Sequence, residues 1–203
     1  MFVGSILPPP CGGGAAREKA RKIACSSNLK EINIALTNYS LEYSNSFPSI
    51  TKPGESGFID LSKIYPTKNL PENYGNAMKG YSSANFEALR LEGYLSNTKL
   101  FKCPSNEDAA VCKKNKVLTN KTNSYAYTFG LNKKTSKPNT AIISDSISLN
   151  IENNVEHSNH EYYGNILFID ISIRGFKGPK WYTNSNYWIN KPPTKKMQKE
   201  NEL

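Results

Sequence analysis

The chain has 203 residues, a formal net charge of +9 and a hydrophobic content of 37%. This length suits one domain with a moderate core, and the apolar content is too high for a fully disordered chain. No apolar stretch reaches the roughly 20 residues that a membrane-spanning helix needs, and no complete signal peptide is visible.

Residues 15–46 are predicted to form one long helix with a single apolar seam. Seam residues follow one another at alternating intervals of four and three, which places them on one stripe of a helix. They are Cys25, Leu29, Ile32, Leu36, Tyr39 and Tyr43. Asn45, Ser46 and then Pro48 end the helix, because the residue before a proline is pushed out of helical geometry. A stripe of this length predicts a body for the helix to lie against.

The start of this helix is cationic. Arg17, Lys19, Arg21 and Lys22 stand against the single acid Glu18, and cations are unfavourable at a helix N-terminus. Two interpretations stay open. Either the helix continues one that begins further upstream, or residues 1–14 are a flexible lead and the helix end frays.

Shorter elements follow in chain order. Residues 58–64 form a short apolar piece, and residues 83–95 are predicted to be a second helix that Gly93 ends. Three strands are predicted at 124–129, 140–145 and 165–176. The last of these is either one long strand or a tight hairpin broken at Asp170.

Because the strands come after the helices, the pattern predicts an α+β fold. A long N-terminal helix packs on a small antiparallel sheet of three or four strands, with long loops. The domain covers residues 15–176, with the helix at 15–46 and the sheet-containing head at 47–176. Residues 177–203 are predicted to be a lysine-rich extension that is partly disordered.

The positive charge is concentrated in two regions. Residues 102–137 hold eight lysines against Glu107 and Asp108, and residues 177–203 hold six against Glu200 and Glu202. This distribution is compatible with a soluble basic module that binds nucleic acid or glycan. Neither region contains arginine, which favours an ordinary solvated surface instead.

Four side chains are candidates to converge at one end of the sheet: Asp145, His157, His160 and Asp170. A hydrolytic or metal-binding site can use such groups, but we favour a role for His160 and Asp170 in holding a turn by hydrogen bonds. No pair of cysteines has the Cys-x2–4-Cys spacing of zinc sites. No nucleophile elbow, Cys–His pairing or phosphate-binding glycine loop is recognisable, so no catalytic residue, cofactor site or metal ligand is predicted.

Short motifs recur in a fixed order along residues 15–176. They are residues 16–23 (AREKARKI), Cys25, residues 28–32 (NLKEI), Tyr39, residues 47–48 (FP), 93–95 (GYL), 101–105 (FKCPS), 124–127 (SYAY) and 142–145 (IISD), and His160 followed after nine residues by Asp170. This ordered set resembles the bacterial type IV pilin-like proteins. The closest resemblance is to the type II secretion major-pseudopilin-like group, whose C-terminal motif is a histidine, nine residues and Asp-Gly.

The resemblance implies a structural subunit of a pilus or secretion pseudopilus, not an enzyme. Its partners would be other pilin-like subunits and the assembly machinery, and its location would be extracytoplasmic with an anchor in the inner membrane. Outward charges such as Glu18, Arg21 and Glu31 would pair between subunits. Calcium is the one cofactor that the resemblance leaves open, although no Asp/Asn ladder of calcium type is visible.

The resemblance also implies a disulfide between Cys25 and Cys103, which would join the helix to the head. A local bridge between Cys103 and Cys112 is the alternative pairing, and unbridged thiols are the third.

Two features depart from the family pattern. The leader, the cleavage site and the apolar first half of the helix are missing, which leads us to expect only the soluble head of a longer protein. Ile171 stands where the family has glycine. Since glycine there would allow a tight turn with positive φ, either the turn changes or the strand continues through it.

Overall fold

The computed structural model of the protein describes residues 13–49, 82–107, 109–113, 116, 118–119, 121–150, 155–178 and 181–182, without the side chains of 147–150 and 155–157. The predicted lead at 1–12, the apolar piece at 58–64 and the tail beyond residue 182 lie outside the described residues. Cys11 and Trp188 lie outside them as well.

The long helix α1 spans Gly13–Glu42, so its predicted end at residue 46 is too late. Ser44 and Asn45 take left-handed backbone conformations, with φ values of 53° and 64°. These two residues reverse the chain before Pro48 is reached. The chain then returns along the head, where the Phe47 N–H donates to the Leu131 carbonyl at 3.0 Å.

The second helix, α2, spans Ser82–Leu91, so its predicted end at residue 95 is too late, but the glycine predicted to stop it, Gly93, does so. Gly93 has a φ of +82°. The Tyr94 N–H donates to the Leu89 carbonyl at 2.9 Å and the Gly93 N–H donates to the Arg90 carbonyl at 3.2 Å, which is the Schellman pattern of helix termination. A short 3-10 helix, Thr98–Phe101, follows.

Six strands complete the described fold. They are β1 Tyr125–Tyr127, β2 Ala141–Asp145, β3 Ile147–Asn150, β4 Val155–Ser158, β5 Tyr163–Phe168 and β6 Ile173–Lys177. The main sheet is fully antiparallel with the order β1-β2-β5-β6, while β3 and β4 form a separate hairpin. The α+β class is therefore confirmed, and the hairpin β3–β4 is an addition that the strand pattern did not predict.

The main sheet is covered on both faces. Its inner face carries Ile143, Leu167 and Tyr127, which join the cluster that α1 and α2 complete. Its outer face carries Ala141, Ile166 and Phe168, against which Trp181 and Tyr182 pack. Trp181 follows the predicted end of the domain at residue 176 in the sequence, and it packs in a small second core on the outer face of the sheet.

The seam of α1 is the helix side of the main core. Leu29, Ile32, Leu36 and Tyr39 are all completely buried. Tyr43 lies just past the helix end and is half-buried, with its ring stacked on that of Tyr39 at a centroid distance of 4.1 Å. The alternating spacing of the seam thus corresponds to the face that contacts the head.

The turn between β5 and β6 resolves the question that Ile171 raised. The Ile171 N–H donates to the Phe168 carbonyl at 2.9 Å, and the Phe168 N–H donates to the Ser172 carbonyl at 3.0 Å. This is a type I turn followed by a left-handed bulge residue. Ile171 itself takes the left-handed position, with a φ of 63°, so the turn is kept and its glycine position is filled by a β-branched residue.

Replacing Ile171 with glycine is expected to stabilise the protein by about 1 kcal/mol. A left-handed conformation costs an L-residue roughly 1–2 kcal/mol, and glycine removes that cost while losing somewhat more backbone entropy on folding. The measurement is the free energy of unfolding in denaturant. Ile171→Ala is the matched control, since alanine keeps the Cβ that disfavours positive φ. Equal gains from both variants would show that the exposed side chain, not the backbone, is responsible.

Candidate functional site

Cys25 and Cys103 form a disulfide that joins α1 to the segment after the 3-10 helix. Both residues are completely buried, and 78 positions separate them in the sequence. The pairing implied by the family resemblance is therefore confirmed. It links the inner face of the helix covalently to the head.

The alternative bridge between Cys103 and Cys112 is not formed, because the Cys103 sulfur is already bonded to Cys25. Cys112 is buried in the loop that follows. Its thiol contacts the carbonyls of Lys113 at 3.5 Å and Lys116 at 3.3 Å, so it stabilises the path of that loop.

His160 lies beside the disulfide and is buried. Its Nε2 is 3.4 Å from the Cys103 sulfur, and its Nδ1 is 2.6 Å from Glu18 Oε1. The ring also meets Tyr163 edge to face at 5.9 Å between centroids. The two ring nitrogens thus point to different elements, one to the disulfide and one to the first turns of α1.

Glu18 contacts the head of its own chain. Besides His160, it accepts a hydrogen bond from the Ser105 hydroxyl at 2.9 Å, and Arg21 lies 3.8 Å away. Burial raises the pKa of the Glu18 carboxyl, but the hydrogen bonds from His160 and Ser105 outweigh it and leave the pKa below its usual value. Pairing of this charge with other subunits stays a prediction; within its own chain Glu18 attaches the start of α1 to the segment after the 3-10 helix and to the loop before β5.

Asp145 at the end of β2 is the second acid of the cluster, and it is completely buried. Its carboxylate accepts hydrogen bonds from the Asn165 N–H at 2.7 Å and from the Asn159 amide at 3.1 Å. His160 Nε2 is 3.9 Å from Asp145 Oδ2. Burial raises the pKa of Asp145, and the attraction of His160 together with these hydrogen bonds only partly opposes that rise.

Asp170 does not join this cluster. It follows the end of β5, whereas His160 precedes its start, and the six residues of the strand between them span roughly 20 Å. Asp170 accepts from the Ser172 N–H at 3.0 Å and from Arg174 at 2.7 Å. Asp170 therefore stabilises a turn by hydrogen bonds, as we expected for it and for His160. The side chain of His160 instead contacts Glu18 of α1. The side chain of His157 lies outside the described residues.

The cluster contains groups that both acid–base chemistry and metal binding use. The arrangement is that of a nucleophile, Cys103, next to a base, His160, which is in turn oriented by Glu18. The spacing of the sequence did not show that a cysteine and a histidine lie this close. In this oxidised state the sulfur is bonded to Cys25 and buried, so it presents no thiolate. Cys25, Cys103, Asp145 and His160 place one donor atom each within 4.8 Å of one another.

The opposite face of α1 is a second candidate surface, which we call the outer stripe: Ile23, Ile34 and Leu41. Their exposed fractions are 62%, 55% and 70%. They are 11 and 7 positions apart, both close to whole numbers of helical turns, so they share one line along the helix. α1 therefore has an apolar row on each of two faces, and the head covers one of them.

Residues 14–160 match the family described as "Protein of unknown function (DUF1559)". The chain belongs to this family. The matched region begins within α1 and ends at His160, so it contains the disulfide, Asp145 and Glu18. No match was found among curated proteins or among solved structures.

Sequence reasoning missed Glu18 and Lys22 as contacts of the head, although a signal for both exists. They precede Cys25 by seven and three positions, so they continue the alternating seam toward the N-terminus. Lys22 Nζ lies 4.7 Å from the Tyr163 ring centroid, and the Lys22 carbonyl accepts from Asn165 at 3.4 Å. Because both residues are charged, an apolar pattern stops short of them.

Proposed function

We propose that this DUF1559 chain is a structural, non-catalytic subunit of a type IV pilus-like or type II secretion pseudopilus assembly. Its partners are other pilin-like subunits and the assembly machinery, and its head works outside the cytoplasm. The observation that carries the proposal is the outer stripe on a helix whose other face is fully occupied by the head.

The outer stripe suits contact with a second helix. Single exposed apolar residues are ordinary on protein surfaces, but three large ones along one line of a 30-residue helix form a row that another helix can bury. Ser27 and Lys30 lie between Ile23 and Ile34, so the row is only moderately apolar. That composition is typical of a surface that is exposed before assembly and covered afterwards.

Two further observations support the proposal. The Cys25–Cys103 disulfide is typical of an oxidising, extracytoplasmic compartment. The family match is compatible with a secretion-related subunit.

Among the described residues, no helix is long and apolar enough to cross a membrane.

The double variant Ile34→Glu, Leu41→Glu is expected to weaken self-association of the chain at least tenfold. The physical reason is that paired helices would bury the introduced carboxylates next to one another. Sedimentation velocity over a range of protein concentrations measures the association constant. Val111→Glu is the control, since Val111 is an exposed apolar residue in a loop of the head.

Association that is equally weakened by Val111→Glu, or that the double variant leaves unchanged, contradicts assembly through α1. The binding-module alternative predicts a different result. Binding of a DNA duplex, followed by fluorescence anisotropy, would then fall steeply with salt concentration, and the outer-stripe variant would bind as well as the unmodified chain.

A further inference from the structure

The cluster beside the disulfide contains more polar groups than a structural disulfide requires. A disulfide needs neither an imidazole nor a carboxylate, and burying a carboxylate costs several kcal/mol unless it is neutralised. Yet Asp145 and His160 are both buried against Cys25 and Cys103. This arrangement suggests that the four side chains share a second role.

We propose that Cys25, Cys103, Asp145 and His160 bind one zinc ion when the disulfide is reduced. A phosphine and one water molecule convert the disulfide into two thiols: the phosphine supplies two electrons and leaves as its oxide with the oxygen of the water, and the two sulfurs take the two protons of the water. Zinc then replaces the two thiol protons and binds both sulfurs as thiolates. The site exists in two exclusive forms, a disulfide or a metal centre, and the proposal is independent of the proposed function.

The donor set and its dimensions fit zinc. Zinc prefers tetrahedral sites built from thiolate, imidazole and carboxylate, and bond lengths of 2.0–2.3 Å place neighbouring donors roughly 3.3–3.8 Å apart. His160 Nε2 is 3.4 Å from the Cys103 sulfur and 3.9 Å from Asp145 Oδ2. Two edges of the tetrahedron are therefore nearly in place. The other donor pairs lie within 4.8 Å of one another, so zinc binding separates the two sulfurs and draws the remaining donors slightly closer.

The surroundings hold these donors as the outer shell of a metal site does. A histidine that binds a metal usually donates its other ring N–H to a carboxylate, and His160 Nδ1 lies 2.6 Å from Glu18 Oε1. Asp145 is oriented by Asn159 and Asn165. The side chains of both proposed nonsulfur ligands are thus already held in place by hydrogen bonds.

Zinc was disfavoured on sequence because no close Cys-x2–4-Cys pair exists. That rule detects sites whose sulfurs come from one turn of chain. Here they come from α1 and from the segment after the 3-10 helix, and the other two donors come from β2 and the loop before β5. Such a site has no local spacing and becomes visible only in the fold.

Cobalt titration of the reduced chain tests the proposal. The full chain carrying Cys11→Ser and Cys112→Ser is reduced with a phosphine and titrated with Co²⁺, then with Zn²⁺. We expect one Co²⁺ per chain, with thiolate-to-cobalt charge-transfer absorption and the strong visible bands of a tetrahedral site, displaced by one Zn²⁺. The oxidised protein should show neither absorption. X-ray absorption of the zinc form should show two sulfur and two nitrogen or oxygen ligands.

Glu18→Gln and Glu31→Gln form a matched pair on the same helix, because Glu18 contacts His160 while Glu31 is exposed. Glu18→Gln should weaken metal binding by about 10- to 100-fold and keep the spectrum, as loss of an outer-shell partner does, whereas Glu31→Gln should bind normally. Circular dichroism reports folding throughout. If reduction unfolds the chain and one metal ion refolds it, the proposal stands, since metal binding and folding are then coupled.

Three results would each overturn the zinc site. The first is a reduced chain that binds no Co²⁺, whether it stays folded or not. The second is binding that Cys103→Ser leaves unchanged. The third is equal weakening by Glu18→Gln and Glu31→Gln, which would show an effect of net charge alone.

Discussion

Loss of the Cys25–Cys103 disulfide is expected to lower the free energy of unfolding by about 4.5 kcal/mol. The bridge closes a loop across 78 positions, and the chain-entropy relation assigns a loop of that length a stabilisation of about 4.5 kcal/mol through restriction of the unfolded chain. For a chain of this size the melting temperature should fall by about 9–18 °C. The measurement compares thermal unfolding of the oxidised and the reduced protein.

The comparison needs a chelator in both samples, because a metal bound to the reduced site would restore part of the lost stability. Cys112→Ser is the control for handling of the thiols, since Cys112 is buried but is not in the disulfide. Its oxidised and reduced forms should differ as much as those of the unmodified chain. A reduced protein that melts at the same temperature as the oxidised one would contradict a stabilising bridge.

Ile32→Ala is expected to cost about 2–5 kcal/mol, while Ile34→Ala should change stability by less than about 0.5 kcal/mol. The two isoleucines lie two positions apart on α1. Ile32 is completely buried against the head and Ile34 is mostly exposed. The same atoms are removed in both variants, so the difference measures burial and the cavity left behind. Chemical denaturation followed by circular dichroism gives both values.

If Ile34→Ala lowers the free energy of unfolding as much as the large loss expected for Ile32→Ala, the outer stripe is covered under the conditions of the measurement. That result would point to association through the stripe at the working concentration, which dilution would then reverse. Equal, small losses at every concentration would contradict the packing of α1 on the head.

The helix and its inner face could be predicted from spacing alone. Alternation of four and three positions from Cys25 to Tyr39 is a local property of the chain, and only a helix places those residues on one face. Gly93 was likewise sufficient to locate the end of α2, since glycine favours the left-handed backbone that stops a helix.

The disulfide pairing had a different basis. Residue spacing left the pairing of Cys25, Cys103 and Cys112 open, and the family resemblance chose between the alternatives. Loop closure over 78 positions leaves no local pattern, so the choice needed either a relative or the fold.

Two details of the turn and helix ends were not predictable from composition. The helix stops at Glu42 because Ser44 and Asn45 adopt left-handed backbone. The predicted end signals Asn45, Ser46 and Pro48 include one of these residues but place the end four residues too late. The β5–β6 turn keeps its geometry with Ile171 in a left-handed position, because the paired strands on either side determine the turn more strongly than the residue's own preference.

By itself, then, the sequence determined that a long helix must lie on an α+β head and which face it presents. Only the tertiary structure brought Glu18, His160 and Asp145 to the Cys25–Cys103 bridge. Glu18 and His160 are 142 positions apart, and Asp145 and Asn165 are 20 apart. Periodicity reports on residues that are neighbours within a few turns of chain. A buried polar cluster is assembled by packing between distant elements, because a buried charge needs a partner of suitable charge or hydrogen bonding to offset its desolvation.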